Sequence, residues 1–137
     1  MIREKSCGAV IFSETGQMRV YLVGKMLKGH QSLCKGHVEE NETEHETAAR
    51  EIMEETNLQI RFVDGFRECI KYSPYTDFLK EVVFFLAKAE SMHVSAQPEE
   101  VSSISWLSFE KAIESLTYDS DKAVLQKAED YPNLHMV

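Results

Sequence analysis

The pattern of apolar and polar residues along the chain predicts a mixed β-sheet. Six short runs have the apolar patterning that is typical of strands, and turn-forming residues separate them. The run at 82–87 is apolar throughout, which is typical of a strand that is covered on both faces. A turn around Thr15 and Gly16 joins the first two runs. The predicted strands are residues 7–12, 19–24, 58–63, 66–72, 82–87 and 102–107.

Helical spacing predicts three helices that cover both sides of this sheet. Thr43 and Glu46 have the spacing of a capping box, and the residues from there to Thr56 are good helix formers without Gly or Pro. Apolar residues recur at helical spacing in 109–116 and again in 120–130. Helices on both faces of a mixed sheet predict an α/β fold, a three-layer α/β/α sandwich formed by a single domain of 137 residues.

The acidic charge of the chain is concentrated in residues 36–58. The formal net charge is −8, and this segment holds eight glutamates and a single arginine, so that the remainder is nearly neutral. Two like charges about 6 Å apart repel by roughly 3 kcal/mol at an effective dielectric constant of about 20. Such a cluster either spreads over a solvated helix or holds a cation.

The spacing of the glutamates on the predicted helix favours the cation. At about 100° per residue, Glu51, Glu54 and Glu55 fall within an arc of roughly 100°, beside an apolar stripe. Arg50 lies one turn before Glu54, where it can orient carboxylates without neutralising all of them. Carboxylate oxygens in this number suit Mg²⁺ or Mn²⁺. The alternative is an ordinary acidic surface helix with pairs between residues i and i+4.

The spacing around the helix matches a known signature. Gly36 is followed after five residues by Glu42, and Glu42 after seven residues by the run 50–58, REIMEETNL. This pattern resembles the signature of the Nudix hydrolases, from which it departs only at Asn57, where glycine is usual. The resemblance implies a pyrophosphohydrolase that cleaves a diphosphate linkage with the help of Mg²⁺ or Mn²⁺ as its cofactor.

The resemblance also implies which residues bind the metal ion and perform catalysis. Glu51, Glu54 and Glu55 match the metal-binding glutamates, and the Gly36 carbonyl and Glu100 would complete the ligand set. For Glu100 the alternative is a solvated acidic loop. The catalytic residues that the resemblance implies are Arg50, Glu51, Glu54 and Lys35, with Glu51 or a neighbour as general base. Glu42 would have the structural role of closing the loop onto the helix.

Segments outside the signature resemble a narrower group, the asymmetric diadenosine tetraphosphate hydrolases, which split the dinucleotide into ATP and AMP. These segments are residues 6–12, 35–39, 65–67, 71–72, 80–87 and 106–108. The resemblance implies that Tyr72 and Tyr118 stack on adenine, with Tyr75 as a rival for either position. It also implies that His30, Lys35 and Lys80 reach the phosphates. Residues 25–33 are expected to form a mobile basic loop suited to phosphate contact, or else a merely solvated loop.

Two other functions stay open at this stage. The first is a Nudix hydrolase that clears oxidised nucleoside triphosphates or another nucleoside diphosphate derivative, because the signature handles only the diphosphate. The second, from another class, is a catalytically weak nucleotide-binding sensor, which the departures at Asn41, Cys34 and Asn57 suggest. Asparagine tolerates the left-handed conformation best among non-glycine residues, so the loops are expected to keep their geometry. Gln31 stands where the resembled enzymes often have an aromatic residue, which suggests that a nucleotide is held less tightly.

Composition limits the compartment and the partners. Three cysteines without CxxC spacing argue against a disulfide framework or a zinc site and predict a reducing, cytoplasmic location. Cys7 is expected in the core, and Cys34 is expected to be accessible without acting as a catalytic thiol. No stretch resembles a signal peptide or a membrane span. The sequence has no stripe of basic residues of the kind that binds long nucleic acid. The expected partner is a small nucleotide substrate, and the protein is expected to be a monomer or a homodimer.

Overall fold

The computed structural model describes residues 1–132, and within them it contains eight strands and three helices. In chain order these are β1 (Ile2–Thr15), β2 (Met18–Met26), β3 (Gln31–Ser32), β4 (Cys34–His37), α1 (Glu44–Thr56), β5 (Ile60–Phe62), β6 (Glu68–Tyr72), β7 (Phe78–Ala89), β8 (Val101–Ser108), α2 (Phe109–Ser115) and α3 (Asp119–Glu129).

The described strands form one mixed sheet centred on β1 and β7. These two strands run parallel, in a register that extends from the pair Ile2 and Phe78 to the pair Phe12 and Lys88. The other edge of β1 is shared, because β4 pairs with its first half and β2 with its second half. β5 and β6 pair with β7, while β3 and β8 pair with β2. The short strand β4 therefore lies at the point where the sheet divides.

Helices cover both faces of the sheet, which confirms the predicted three-layer α/β/α sandwich. On one face, Ala48 and Ile52 of α1 are fully buried against a cluster that includes Cys7. On the other face, α2 and α3 pack on a second cluster that includes Phe84 and Leu125. Each side chain of this size contributes roughly 1.5–3 kcal/mol when it is fully buried. The two faces thus have separate apolar cores.

The predicted start and end of α1 are confirmed. Thr43 Oγ1 accepts a hydrogen bond from the Glu46 amide at 3.1 Å, and Glu46 Oε1 accepts one from the Thr43 amide at 2.8 Å. Asn57 ends the helix with φ 62°, and Asn41, in the loop before the helix, has φ 68°. Both asparagines adopt the left-handed conformation, so the loops around α1 keep the geometry that glycine would allow.

The loop predicted at residues 25–33 is shorter than expected, because strands occupy part of the segment. β2 continues to Met26 and β3 begins at Gln31, and a tight turn joins them, in which the Gly29 amide donates to the Met26 carbonyl at 2.9 Å. A residue outside the hairpin also holds Gln31 in place, because the Gln31 amide donates a hydrogen bond to Thr117 Oγ1 at 2.7 Å. The segment is therefore a hairpin that is tied to the region before α3.

The expectation of an accessible Cys34 is also wrong. Its side chain lies in the core on the α1 side of the sheet and is 5% exposed. Burial raises the pKa of the thiol well above its usual range, so Cys34 stays protonated and unreactive. The residue is buried because it belongs to β4, paired with Ala9 of β1. Cys7 is buried as expected.

Within residues 1–132, none of the helices has the length and apolar character needed to cross a lipid bilayer.

Candidate active site

Arg50, in the middle of α1, is the centre of a network of carboxylates. Its Nε donates to Glu42 at 2.6 Å, and one terminal nitrogen donates to Glu51 at 2.9 Å and lies 3.2 Å from Glu54. The other terminal nitrogen donates to the His37 carbonyl at 2.9 Å and to Glu42 at 3.0 Å. One guanidinium thus joins β4, the loop after it and two turns of the helix.

Glu42 closes the loop before α1 onto the helix. Its carboxylate accepts hydrogen bonds from Arg50, from the Glu39 amide at 2.9 Å and from Thr47 Oγ1 at 2.9 Å. The hydrogen bonds from Arg50, followed by the one from Glu39, lower the pKa of Glu42 from 4.5 to about 2. Glu42 is therefore ionised and fully engaged with its own loop, which fits a structural role.

Gly36 brings β4 into direct contact with α1. A Cβ atom at this position would lie 2.0 Å from the carboxyl carbon of Glu51, so only glycine allows the approach. Because successive residues of a strand face opposite sides, the neighbouring Lys35 is directed to the other face of the sheet. There it lines a pocket that is described below. Two adjacent residues of β4 thus serve two sides of the sheet.

Glu55 is a buried carboxylate with an unsatisfied oxygen. Its side chain is 3% exposed, and its Oε2 finds no hydrogen-bond partner in the part of the chain that the structure describes. Burial, together with the negative charges of Glu51 and Glu100, raises the pKa of Glu55 to about 8, although Lys35 opposes this. Burial also raises the pKa of Glu51, against the hydrogen bond from Arg50. The site therefore contains more carboxyl groups than its own cations can keep ionised.

These residues fit a divalent cation. A buried carboxylate oxygen without a partner is costly, and a cation would remove that cost. The donors are hard oxygens, which suit Mg²⁺ and Mn²⁺. Among residues 1–132, however, no three acidic, histidine or cysteine side chains are already drawn together as a ligand group, since Glu51 and Glu54 face the Arg50 guanidinium.

Glu100 is held near this site by the end of α1. The Ser95 amide donates to the Thr56 carbonyl at 3.0 Å, and the Gln97 amide donates to the Glu55 carbonyl at 3.2 Å. Carbonyls in the last turn of a helix lack partners within the helix, and this loop supplies them. Glu100 itself is exposed, and its charge raises the pKa of Glu51 and Glu55. The structure thus brings Glu100 close to the glutamates of α1.

A pocket of about 600 Å³ lies on the opposite face of the sheet from α1. Its lining includes all five predicted substrate-binding residues, namely His30, Lys35, Tyr72, Lys80 and Tyr118. Tyr72 and Tyr118 are 45% and 52% exposed, so both rings are open to a ligand. Tyr75, the rival candidate, is outside the lining and packs against Phe78 with ring centroids 5.1 Å apart. Binding by these residues stays a prediction.

Two connections link the pocket to the glutamates of α1. Lys35 lines the pocket, and its charge lowers the pKa of Glu55. Lys80, which also lines the pocket, lies 3.7 Å from Glu4, and the same Glu4 oxygen lies 2.5 Å from Nε2 of His37. The carbonyl of His37 in turn accepts the hydrogen bond from Arg50 that is described above. The pocket and the carboxylate row are therefore the two sides of one β4 segment.

The acidic residue of the pocket was not predicted from the sequence. Asp121 lies in the first turn of α3, is 5% exposed and lines the pocket. In the sequence it is only one of two acids at the start of a helix, a position where acids are common because of the helix dipole. It is buried beside the distant segment around Leu33, whose backbone lowers its pKa.

Fold and site together define a class of protein: this is a pyrophosphohydrolase, a hydrolase acting on acid anhydrides. The family model of the NUDIX domain matches residues 3–128, and the chain therefore belongs to the Nudix hydrolase family. Members of this family typically depend on a divalent metal ion.

Individual proteins similar to this chain agree with that assignment. The chain is 28% identical to the asymmetrical bis(5'-nucleosyl)-tetraphosphatases of Sus scrofa and Mus musculus, in matches that cover 93% of this chain and 94% of each relative. Its structure is similar to the crystal structure of a C. elegans Ap4A hydrolase binary complex, with a TM-score of 0.84 and 25% identity. That match covers 93% of this chain and 96% of the C. elegans chain.

Proposed function

We propose that this protein hydrolyses diadenosine tetraphosphate to ATP and AMP, with Mg²⁺ or Mn²⁺ as its cofactor. The observation that carries the proposal is the pocket in which two exposed tyrosines accompany His30, Lys35 and Lys80, across strand β4 from the carboxylate row of α1. The names of the similar proteins point to the same substrate.

The metal ligands that we propose are the Gly36 carbonyl, Glu51, Glu54, Glu55 and Glu100. A bound ion would supply a Lewis acid that lowers the pKa of a water molecule and neutralises charge on phosphate oxygens. The orphaned Oε2 of Glu55 and the close approach of Gly36 to Glu51 support this set.

The protein's own groups orient the reactants and move the proton. Glu51, or a neighbouring glutamate of α1, takes the proton of the attacking water, and Arg50 holds Glu51 and Glu54 in position. Lys35 and Lys80 offset the negative charge that develops on the phosphate oxygens. The arrangement thus combines a base, its positioning residue and two phosphate-binding cations.

The nucleoside is held by the aromatic side of the pocket. Tyr72 and Tyr118 would stack on adenine, and stacking of one base on an aromatic ring contributes about 1–3 kcal/mol. A pocket of about 600 Å³ suits one nucleotide with part of the polyphosphate, because small-ligand sites measure roughly 300–1,000 Å³. The second nucleoside of the substrate would then extend beyond the pocket.

The test is a substrate panel with separated products. Diadenosine tetraphosphate, an oxidised purine triphosphate and other nucleoside diphosphate derivatives are incubated with Mg²⁺ or Mn²⁺, and products are identified by chromatography. ATP and AMP as the main products would support the proposal. Preferential cleavage of another member would favour the second hydrolase function, and tight nucleotide binding without metal-stimulated phosphate release would favour the sensor.

A further inference from the structure

The pocket contains one acidic side chain among several basic ones. His30, Lys35, Lys71 and Lys80 line it, and among its described lining residues Asp121 is the single carboxylate. The side chain of Asp121 is 5% exposed, so it is enclosed by the protein apart from its contact with the pocket. A buried acid at a site for polyphosphate needs an explanation, because it repels the phosphates.

The contacts of Asp121 leave part of its hydrogen-bonding capacity unused. The backbone at Leu33 lies close enough to Asp121 to lower its pKa, and a carboxylate has two oxygens with about four acceptor sites. Burial raises the pKa of Asp121, whereas the charge of Lys35, the Leu33 backbone and the charge of His30 lower it. In either protonation state the group keeps an acceptor oxygen.

Asp121 forms no side-chain capping hydrogen bond at the start of α3. Tyr118 is the N-cap residue of α3 and has no side-chain capping hydrogen bond, and Asp121 lies beside the backbone at Leu33, next to β4. Tyr118 precedes Asp121 by one helical turn, and both line the pocket. A ligand stacked on Tyr118 would therefore have its edge near the carboxylate.

We propose that Asp121 selects the nucleoside part of the substrate by accepting a hydrogen bond from a donor on the base or on the ribose. The inference rests on the proposed function, because it takes the pocket as the nucleotide site. Stacking on Tyr72 and Tyr118 tolerates any base, so it cannot itself discriminate. A buried acceptor does discriminate, since a ligand that lacks the donor leaves it unpaired.

Equilibrium binding tests the inference without relying on turnover. The ligands are AMP, inosine monophosphate, which lacks the exocyclic amine, and 2′,3′-dideoxy AMP, which lacks the ribose hydroxyls. Calorimetry gives their affinities for the wild type, for Asp121→Ala and for Asp121→Asn. Asp119→Ala is the matched control, because Asp119 lies in the same helical turn but is exposed and outside the pocket lining.

The wild type should bind AMP at least about tenfold more tightly than one of the two analogues, as expected for a hydrogen bond to a charged group. That analogue identifies the donor. Asp121→Ala should lose this preference, Asp121→Asn should keep part of it through its amide oxygen, and Asp119→Ala should keep all of it. The preference is a ratio measured on one preparation, so a smaller folded fraction does not alter it.

Two results would overturn the inference: equal binding of all three nucleotides by the wild type, or a full wild-type preference in Asp121→Ala. If Asp121→Ala does not fold, a full wild-type preference in Asp121→Asn has the same meaning. Failure of the proposed function would give a different result, because the wild type would then cleave no dinucleoside polyphosphate. The preference of the wild type for AMP, and the loss of that preference in Asp121→Ala, could still be measured.

Discussion

Replacing Gly36 by alanine tests how closely β4 must approach α1. The added Cβ would lie 2.0 Å from the carboxyl carbon of Glu51 and 2.1 and 2.4 Å from its oxygens, whereas such contacts essentially never fall below 3.0 Å. The backbone of Gly36 is outside the left-handed region, so alanine itself is not strained there. The substitution therefore acts through the displacement of one carboxylate.

The size of the effect follows from that displacement. The Glu51 carboxyl must move by about 1 Å, and a misplacement of this size at an active site can lower the rate about a hundredfold. Overpacking costs typically about 1–3 kcal/mol of stability, and here we expect the lower end because the displaced atoms end a flexible side chain. Gly36→Ala should therefore lose activity far more than stability.

Steady-state kinetics and urea denaturation measure the two quantities, and Gly24→Ala provides the control. A Cβ at Gly24 would meet its nearest atom at 3.8 Å, an ordinary contact, so activity and stability should both stay near wild type. In a Glu51→Ala background, Gly36→Ala should cost no further activity, because the clash is gone. A kcat within a factor of a few of wild type in the single variant Gly36→Ala would refute the reasoning.

Three further predictions concern α1. Glu54→Gln should abolish turnover with an unchanged unfolding temperature, because Glu54 is 52% exposed in its side chain, and near-normal rates would exclude a metal-binding role. Arg50→Lys should lower kcat about tenfold or more in steady-state assays, because an ammonium cannot make the forked contacts, and an unchanged kcat would contradict the positioning role. Hydrogen bonds from Arg67 and Lys5 lower the pKa of Glu44 from 4.5 to about 2 in the folded protein. The ionised Glu44 therefore stabilises the fold fully above pH 4.5, and this contribution is lost as the pH falls through the folded pKa. Glu44→Gln should therefore lower the free energy of unfolding, measured by urea denaturation, by about 1 kcal/mol at pH 7 after solvent screening, and by almost nothing near pH 2. An equal loss at both pH values would refute this prediction.

The parts of the site that could be predicted from sequence depend on neighbours along the chain. The capping box of Thr43 and Glu46, the carboxylate row of α1 and the left-handed Asn57 involve residues within about one helical turn, whose relations the helical repeat determines. The three-layer order also follows from local patterns, since each face must cover its own apolar residues. Such features survive almost any long-range arrangement.

The parts that could not be predicted depend on pairing between distant segments. β4 spans Cys34–His37, a polar stretch without the alternation that marks a strand, and it exists because β1 pairs with it. The same pairing buries Cys34, which the sequence alone suggested to be accessible. Likewise Asp121 is buried by the contact of α3 with Leu33, about 90 positions away along the chain.

The position of β4 explains why the two halves of the proposed site depend on each other. Lys35 faces the pocket while Gly36 lies against Glu51, so any shift of this strand changes the position of Lys35, the proposed phosphate-binding cation, and the contact of Gly36 with Glu51 together. Arg50 fastens the end of β4 through the His37 carbonyl, and Glu4 fastens it on the pocket side through the His37 ring. This arrangement follows from the alternation of side chains in a strand of only four residues.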